Sequence, residues 1–385
     1  MANTHTSLSA LFTDIADAIR EKTGDTASIV ADDFPDVIRE MLQVAPPKPH
    51  LTFRSPSSFT LQVDDATKHW DGTLEYSTDT TTWSTWDGTT TLSSATTGSK
   101  NALYLRGTGN TVITGNNQGS TYRWVLTGTD ISCIGNIENL LDYGTVETGA
   151  HPTMADYCYQ YMFYGCTALT HAPSLPATTL TTNCYYSMFS RCISLTQAPA
   201  LSATTMAKNC YRFMFNRCTS LTQAPALPAT MLAEQCYQSM FQGCTALTHA
   251  PSLPATTLTT NCYYSMFSRC ISLTQAPALP ATTLAPYCYV DMFEGCTSLT
   301  QIPALPATTL AEQCYSGMFY GCTKIKLSST QTGEYTIAYR IPITGTGTTA
   351  SSLDLNAMFP GTGGTFTGTP EINTTYYLSN TNEIV

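Results

Sequence analysis

Charge is scarce in this chain. Lys, Arg, Asp and Glu make up 11% of its 385 residues, and 27 acids against 17 bases leave a net charge of −10. Nucleic acid is thereby excluded as the main partner, because phosphate binding needs clustered Lys and Arg. Long apolar runs are also missing. No stretch approaches the roughly 18 apolar residues of a membrane span, so membrane insertion is not expected. The opening residues Met1 to Ser7 lack the basic and apolar regions of a secretory signal, and Asn382-Glu383-Ile384-Val385 carries no anchor. Synthesis in a reducing cytoplasm is the expectation that follows.

Catalytic material is equally thin. There are six His, and the two in the repeats described below, His171 and His249, occupy equivalent places and are therefore not unique. No nucleophile motif appears, and the cysteines show no C-x₂-C spacing of the kind zinc sites use. Glycosidases need a specific carboxylate pair, and Asp291 with Glu294 reads as two acids on an ordinary helix face. No catalytic residue, metal or cofactor is assigned, and the chain is not expected to be an enzyme.

What is present is periodicity. Fourteen of the fifteen Cys fall in residues 158–325, two per unit, and only Cys133 lies outside. Units begin at Cys158, Cys184, Cys210, Cys236, Cys262, Cys288 and Cys314, always 26 apart. The consensus is C-Y-x-x-M-F-x-x-C-T-x-L-T-x-A-P-x-L-P-A-T-T-L-x-x-x. A fixed period of this length predicts a stacked solenoid in which each unit buries its apolar face against its neighbours. Cys158, Met162 and Cys166 at i, i+4 and i+8 predict one face of a helix, widened by Tyr159 and Phe163. Leu169, Leu175 and Leu180 come from an extended part, and Thr170-His171-Ala172 predicts a short parallel strand closed by Pro173. At about 4.8 Å per paired strand, seven units make a rod or arc of about 35 Å. The thiols read as small buried core groups rather than ligands or disulfides.

The variable positions carry the candidate contacts. Thr170, Thr196, Thr222, Thr248, Thr274 and Thr300 form one ladder, and His171, Gln197, Gln223, His249, Gln275 and Gln301 run beside it. Facing outward, they make a continuous polar stripe suited to neutral glycans or protein surfaces; the alternative is a merely solvated face. The block holds six bases and four acids in 168 residues, too few to favour ionic ligands. Residues 166–201 and 244–279 are identical over 36 positions, offset by 78, which marks a block duplication.

The flanks differ in texture. Residues 1–43 carry eight acids and three bases, net −5, and predict two short helices with apolar stripes (Leu8, Leu11, Phe12, Ile15 and Ile19; then Phe34, Val37, Ile38, Met41 and Leu42) for docking. Residues 44–50 are a Pro-rich linker. Residues 51–130 show five short strand patterns between Gly, Asp and Ser/Thr turns, which predicts a small β-sandwich, Ig-like or carbohydrate-binding-like. All four Trp lie there. Trp124 reads as core. Trp70, Trp83 and Trp86 lie near turns and are candidate sugar-stacking contacts; the alternative is that they pack the sandwich. Within residues 131–157, Ile134, Ile137, Leu140 and Leu141 predict a turn that shields the first unit. Residues 326–385 predict a C-terminal β cap, with Tyr335, Ile337, Tyr339, Ile341 and Ile343 alternating and Met358-Phe359 echoing the repeat.

Two resemblances add to this. The M-F-x-x-C-T-x-L core, plain in Met162-Phe163-Tyr164-Gly165-Cys166-Thr167 and Met318-Phe319-Tyr320-Gly321-Cys322-Thr323, resembles the 26-residue repeat of BspA-like leucine-rich-repeat proteins. That resemblance implies a cell-surface adhesion role. Leu11-Phe12-Thr13-Asp14-Ile15-Ala16-Asp17-Ala18-Ile19-Arg20 with Asp32-Asp33-Phe34-Pro35 is similar to the start of phage and prophage minor structural proteins, which implies docking to other virion or tail proteins. The combined expectation is an α+β multidomain chain: N-terminal helices, a β-sandwich, and a leucine-rich-repeat-type solenoid of seven 26-residue units with a β cap. Its function would be adhesion to a bacterial surface glycan or protein from a phage tail. A bacterial surface adhesin is the alternative, and a glycan depolymerase ranks below both. A homo-trimer is left open, since no coiled-coil heptads support one.

Overall fold

The computed structural model describes residues 48–98, 100–115, 122–341, 344–345 and 355–385. The helices expected in residues 1–43 and position Ile343 lie outside them. The chain divides into two compact units, residues 1–48 and 49–385, and everything below concerns the second.

That unit opens with nine strands: β1 (Leu51–Ser55), β2 (Thr60–Val63), β3 (Thr73–Ser77), β4 (Ser84–Trp86), β5 (Leu92–Ser93), β6 (Ala95–Thr97), β7 (Lys100–Thr108), β8 (Trp124–Thr127) and β9 (Ile131–Ile134). A short helix α1 (Asn139–Glu147), broken at Asp142 by non-helical backbone, follows. Then comes β10 (Leu169–His171), inside the first repeat. One sheet runs β10-β9-β1-β7-β3-β4, with β6 also on β7, and a second runs β5-β2-β8. In β2, Leu61 and Val63 are buried while Thr60 and Gln62 are half-buried, the alternation of a strand with one covered face. Between the sheets lies an aromatic chain: Trp70 to Trp86 at 5.1 Å, Trp86 to Trp124 at 5.5 Å and Trp124 to Phe53 at 6.4 Å between ring centroids.

The sandwich continues into the repeats without a break. Strand β10 pairs in parallel with β9. The Trp124 N–H donates to the Met162 carbonyl at 2.8 Å, and the Ile113 N–H to the Cys158 carbonyl at 2.9 Å. The Thr114 hydroxyl takes the Gln160 carbonyl at 2.7 Å. A solenoid left bare would show these carbonyls and a strand edge to water, and the sandwich covers both. Ile137, Leu140 and Leu141 are fully buried, as a shielding turn requires, but Ile134 is 50% exposed and takes no part.

The helix expected at each Cys-Met-Cys segment is not there. The backbone instead turns every two residues. In the second repeat the N–H groups of Cys184, Tyr186, Met188 and Ser190 bond three residues back within the coil. Those between them, on Asn183, Tyr185, Ser187, Phe189 and Arg191, donate forward to Lys208, Cys210, Arg212, Met214 and Asn216 of the next coil. Every fourth residue has positive φ, as at Asn183 (57°), Ser187 (53°) and Arg191 (63°). No residue at these places in the repeats is β-branched, the side-chain class that tolerates this conformation least. Cys, Met and Cys still share a face because a period of four and a period of 3.6 nearly coincide over nine residues.

Stacked coils repeat each core contact. Tyr159, Tyr185, Tyr211, Tyr237, Tyr263, Tyr289 and Tyr315 form one ring ladder with centroids 5.5–5.9 Å apart and near-parallel planes. A second runs from Phe163 to Phe319 at 5.5–5.8 Å and ends on Phe359. These ring spacings exceed the 4.8 Å expected for paired strands. Strand pairing is indeed sparse, mostly single bridges such as Gln223 to His249 and His249 to Gln275. The prolines explain this, since each removes an amide donor beside the ladder. All fifteen Cys are buried thiols rather than disulfides. From the second unit on, the second Cys donates its thiol back to a Phe carbonyl, as Cys218 does to Phe189 at 3.0 Å, and in the first unit Cys166 donates to the Trp124 carbonyl at 3.2 Å.

The remaining strands close the far end: β11 (Gln301–Ile302), β12 (Thr309–Leu310), β13 (Lys326–Ser328), β14 (Tyr335–Arg340), β15 (Thr344–Gly345), β16 (Gly363–Gly364), β17 (Thr375–Ser379) and β18 (Glu383–Ile384). A four-stranded sheet has the order β14-β17-β13-β16. The N–H groups of Gly317, Phe319 and Gly321 find carbonyls on Asn356, Met358 and Pro360, so Met358-Phe359 takes the place of a further coil. The chain's last strand, β18, lies parallel to β11 beside the final Thr-Gln rung.

Candidate binding surfaces

The polar stripe faces water. His171, Gln197, Gln223, His249 and Gln275 are exposed, Gln301 is half-buried, and the Thr beside them are exposed or half-buried. Part of the ladder is bonded to itself: the hydroxyls of Thr248 and Thr300 donate to the carbonyls of Thr222 and Thr274 at 3.2 Å. His171 and His249 each contact the hydroxyl of the preceding Thr, at 3.1 and 2.9 Å. At one end the Gln301 amide donates to Glu383. A shallow pocket on this face is lined by Gln197, Ala198, Thr222, Gln223, Ala224 and Pro225. The stripe is thus a row of hydroxyls, amides and imidazoles without a fixed charge of its own.

The Trp candidates are placed otherwise. Trp70 is 4% exposed and Trp86 1%; both fill the sandwich and neither can meet a sugar. Trp83 is half-buried under the Arg106 guanidinium, 3.9 Å from its ring, so that face is occupied by a cation–π contact. Trp124 is fully buried, as its strand pattern indicated.

Reading the sequence for neutral surfaces missed a second face. The last of the three positive-φ places in each coil is held by Gly165, Arg191, Arg217, Gly243, Arg269, Gly295 and Gly321. Arg217 and Arg269 each lie over a Gly of the next coil, whereas Arg191 is followed by Arg217. A Cβ on Gly243 would sit 3.2 Å from Arg217 Cγ, and one on Gly295 3.4 Å from Arg269 Cγ. Over Gly165 lies Arg123, lent by the sandwich. These arginines line an open groove of about 560 Å³ with Tyr164, Thr167, Ile193, Thr219 and Thr245. Sparse charge in the sequence becomes concentrated charge in space because the period brings one column together. Aligning the units column by column would have exposed a position held only by Gly or Arg.

Asp291 and Glu294 do not share the helix face expected for them. Asp291 is at a positive-φ turn position, not on a helix, and burial followed by the charge of Glu294 pushes its carboxyl up to about 6. Glu294 is engaged by the Ser268 hydroxyl and by Arg269 at 3.5 Å. The thiols are buried, and burial raises Cys244 to about 12, where little thiolate exists near neutral pH. Among the described residues no group of three His, Cys, Asp or Glu is placed to hold a metal, and no helix is long and apolar enough to cross a membrane.

Comparison with known families bears on the coils. Residues 150–274 and 227–340 match the model of the BspA type leucine-rich-repeat region, in six copies. This region is a BspA-type leucine-rich repeat. No curated protein and no solved structure matches the chain. The match therefore speaks for the stacked repeats alone, and the sandwich and the N-terminal residues stand on their own chemistry.

Proposed function

We propose that this chain is an adhesin whose BspA-type repeats bind a bacterial surface glycan or protein and carry out no catalysis. The observation that carries this reading is the exposed Thr and Gln/His ladder, which presents the same groups coil after coil. A catalytic site needs one unique constellation, whereas repeated weak contacts add up through multivalency. BspA-type repeats are typically surface or adhesion elements, which supports the same reading. The finer proposal is a virion protein of a phage tail, docked through residues 1–43, with a bacterial surface protein as the second bearer. The likeness of Leu11–Arg20 to phage structural proteins favours the first.

Binding of the labelled full chain to a panel of bacterial cells tests the proposal, with cells stripped of surface polysaccharide as the comparison. Saturable binding lost on stripping is the expected result. Absence of binding across the panel, or release of reducing sugar from the polysaccharide, would overturn it.

A further inference from the structure

We infer that the arginine-lined groove binds an anionic glycan, a chain of sugars bearing carboxylate, sulfate or phosphate, laid along the stacking direction. The inference rests on the adhesive reading above and specifies its ligand.

Four guanidiniums line one side of the groove: Arg123, Arg191, Arg217 and Arg269. The outer two have carboxylate neighbours, Asp64 and Glu294, each at 3.5 Å. Arg191 and Arg217 are exposed and have no carboxylate partner among the described residues. They stand in adjacent coils, whose stacked rings are 5.7 and 5.8 Å apart. Arg269 follows two coils on. A ligand with anions repeated along its length meets these positions in succession, and the planar guanidinium fork suits carboxylate, sulfate and phosphate alike.

Position is also prepared in advance. The Tyr164 ring lies between Arg123 and Arg191, at 5.7 and 5.6 Å from their guanidinium carbons. Holding two cations in place before binding lowers the ordering cost. The remaining lining is hydroxyl and aliphatic: Thr167, Thr219 and Thr245 with Ile193. Hydroxyls are the complement of sugar hydroxyls.

The other polyanions fit less well. Single-stranded nucleic acid binds by stacking bases on open aromatic faces, and the groove's one ring is already flanked by guanidiniums. An acidic peptide would seek backbone partners, but the Gly165 and Arg191 N–H groups are spent on Ser190 and Asn216 of the next coil.

The test compares the full chain with the double variant Arg191→Gly/Arg217→Gly. Glycine stands at the same place in four other coils and accepts the positive φ of both sites (63° and 58°), so the fold should be kept, as a matching melting curve verifies. Binding is measured to polygalacturonate, dextran sulfate and a glycerol-phosphate polymer, which separate the three anion types, and to neutral dextran and single-stranded DNA. At least one anionic glycan should bind with an affinity that falls as salt rises, and neutral dextran should not. The double variant should lose about tenfold in affinity and show a shallower salt dependence. Three results overturn the inference: no anionic glycan bound at low salt, equal affinity in the double variant, or DNA bound more tightly than all three polymers. The polymers judge the groove and whole cells judge adhesion. Polymer binding without cell binding overturns adhesion alone, and cell binding without polymer binding overturns the groove alone.

Discussion

The sandwich and the coils bury the same kinds of side chain in opposite ways. In the sandwich, Phe53, Trp86 and Trp124 each make contacts that occur once, between strands far apart in sequence such as Leu51 and Leu105. In the coils each contact recurs 26 residues on: Tyr on Tyr, Phe on Phe, thiol on carbonyl. The first arrangement is closed and unique, and the second is open and translatable. The teaching is that tolerance to change should depend on register in the coils and on identity in the sandwich.

The largest effect should come from breaking register. One Ala inserted between Phe215 and Asn216 shifts the alternation of local and forward N–H bonds by one. At about 1 kcal/mol per hydrogen bond, several mismatched bonds should abolish cooperative unfolding as followed by circular dichroism in urea. Deleting residues 210–235 removes one period and should leave a folded chain with a slightly lower melting point. If the deletion unfolds the chain and the insertion does not, the comparison fails.

Next comes identity in the sandwich. Trp124→Ala empties a fully buried site between Trp86, Phe53 and Phe163 and should cost about 3–5 kcal/mol, read from urea midpoints. A cost near that of a surface substitution would show that this junction is not a shared core. Smaller still is Cys218→Ala, which removes a buried thiol and its bond to the Phe189 carbonyl. About 1–2 kcal/mol is expected, and the same change at Cys244 should match it if the coils are truly equivalent.

The smallest concerns Asp291. Its folded value near 6 lies above the ordinary 3.8, so its contribution to stability is fully present below pH 3.8 and is lost as pH rises through 6. Partial exposure limits the loss to about 1 kcal/mol. Asp291→Asn should therefore be more stable than the parent at pH 7 and equal to it near pH 3.5, in paired urea titrations. A constant difference across that range would remove the carboxyl from the account.

The period was legible because identical residues recur at fixed spacing, and with it the buried Cys, Met, Phe and Leu. The strands of the sandwich were legible from alternation, as in Leu61 and Val63. The helix was misread because nine residues are too few to separate periods of four and 3.6. Asn183, Asn209 and Asn261, with Gly165, Gly243, Gly295 and Gly321, were the contrary sign. One of these residue types in every unit, at the first or last positive-φ place, suits left-handed turns and weakens a helix. Trp70 and Trp86 were uncertain because turn residues nearby say nothing about which way a side chain faces. The arginine column was legible in aligned units but was passed over for the low total charge, and only the contribution of Arg123, from another part of the chain, was hidden.

In the turn segments the inter-coil N–H bonds run forward, while at the Thr rungs they run back, as from Thr248 to Thr222 and from Thr300 to Thr274, so only the turn side of the stack is a one-way street. On that side the first face offers carbonyls, which the sandwich meets with donors, and the last offers N–H groups, met by the carbonyls of Asn356, Met358 and Pro360. The two end pieces are therefore not interchangeable on that side. Unequal exchange within the gene can lengthen the middle, as the identical blocks 166–201 and 244–279 record, while the ends decide where growth stops.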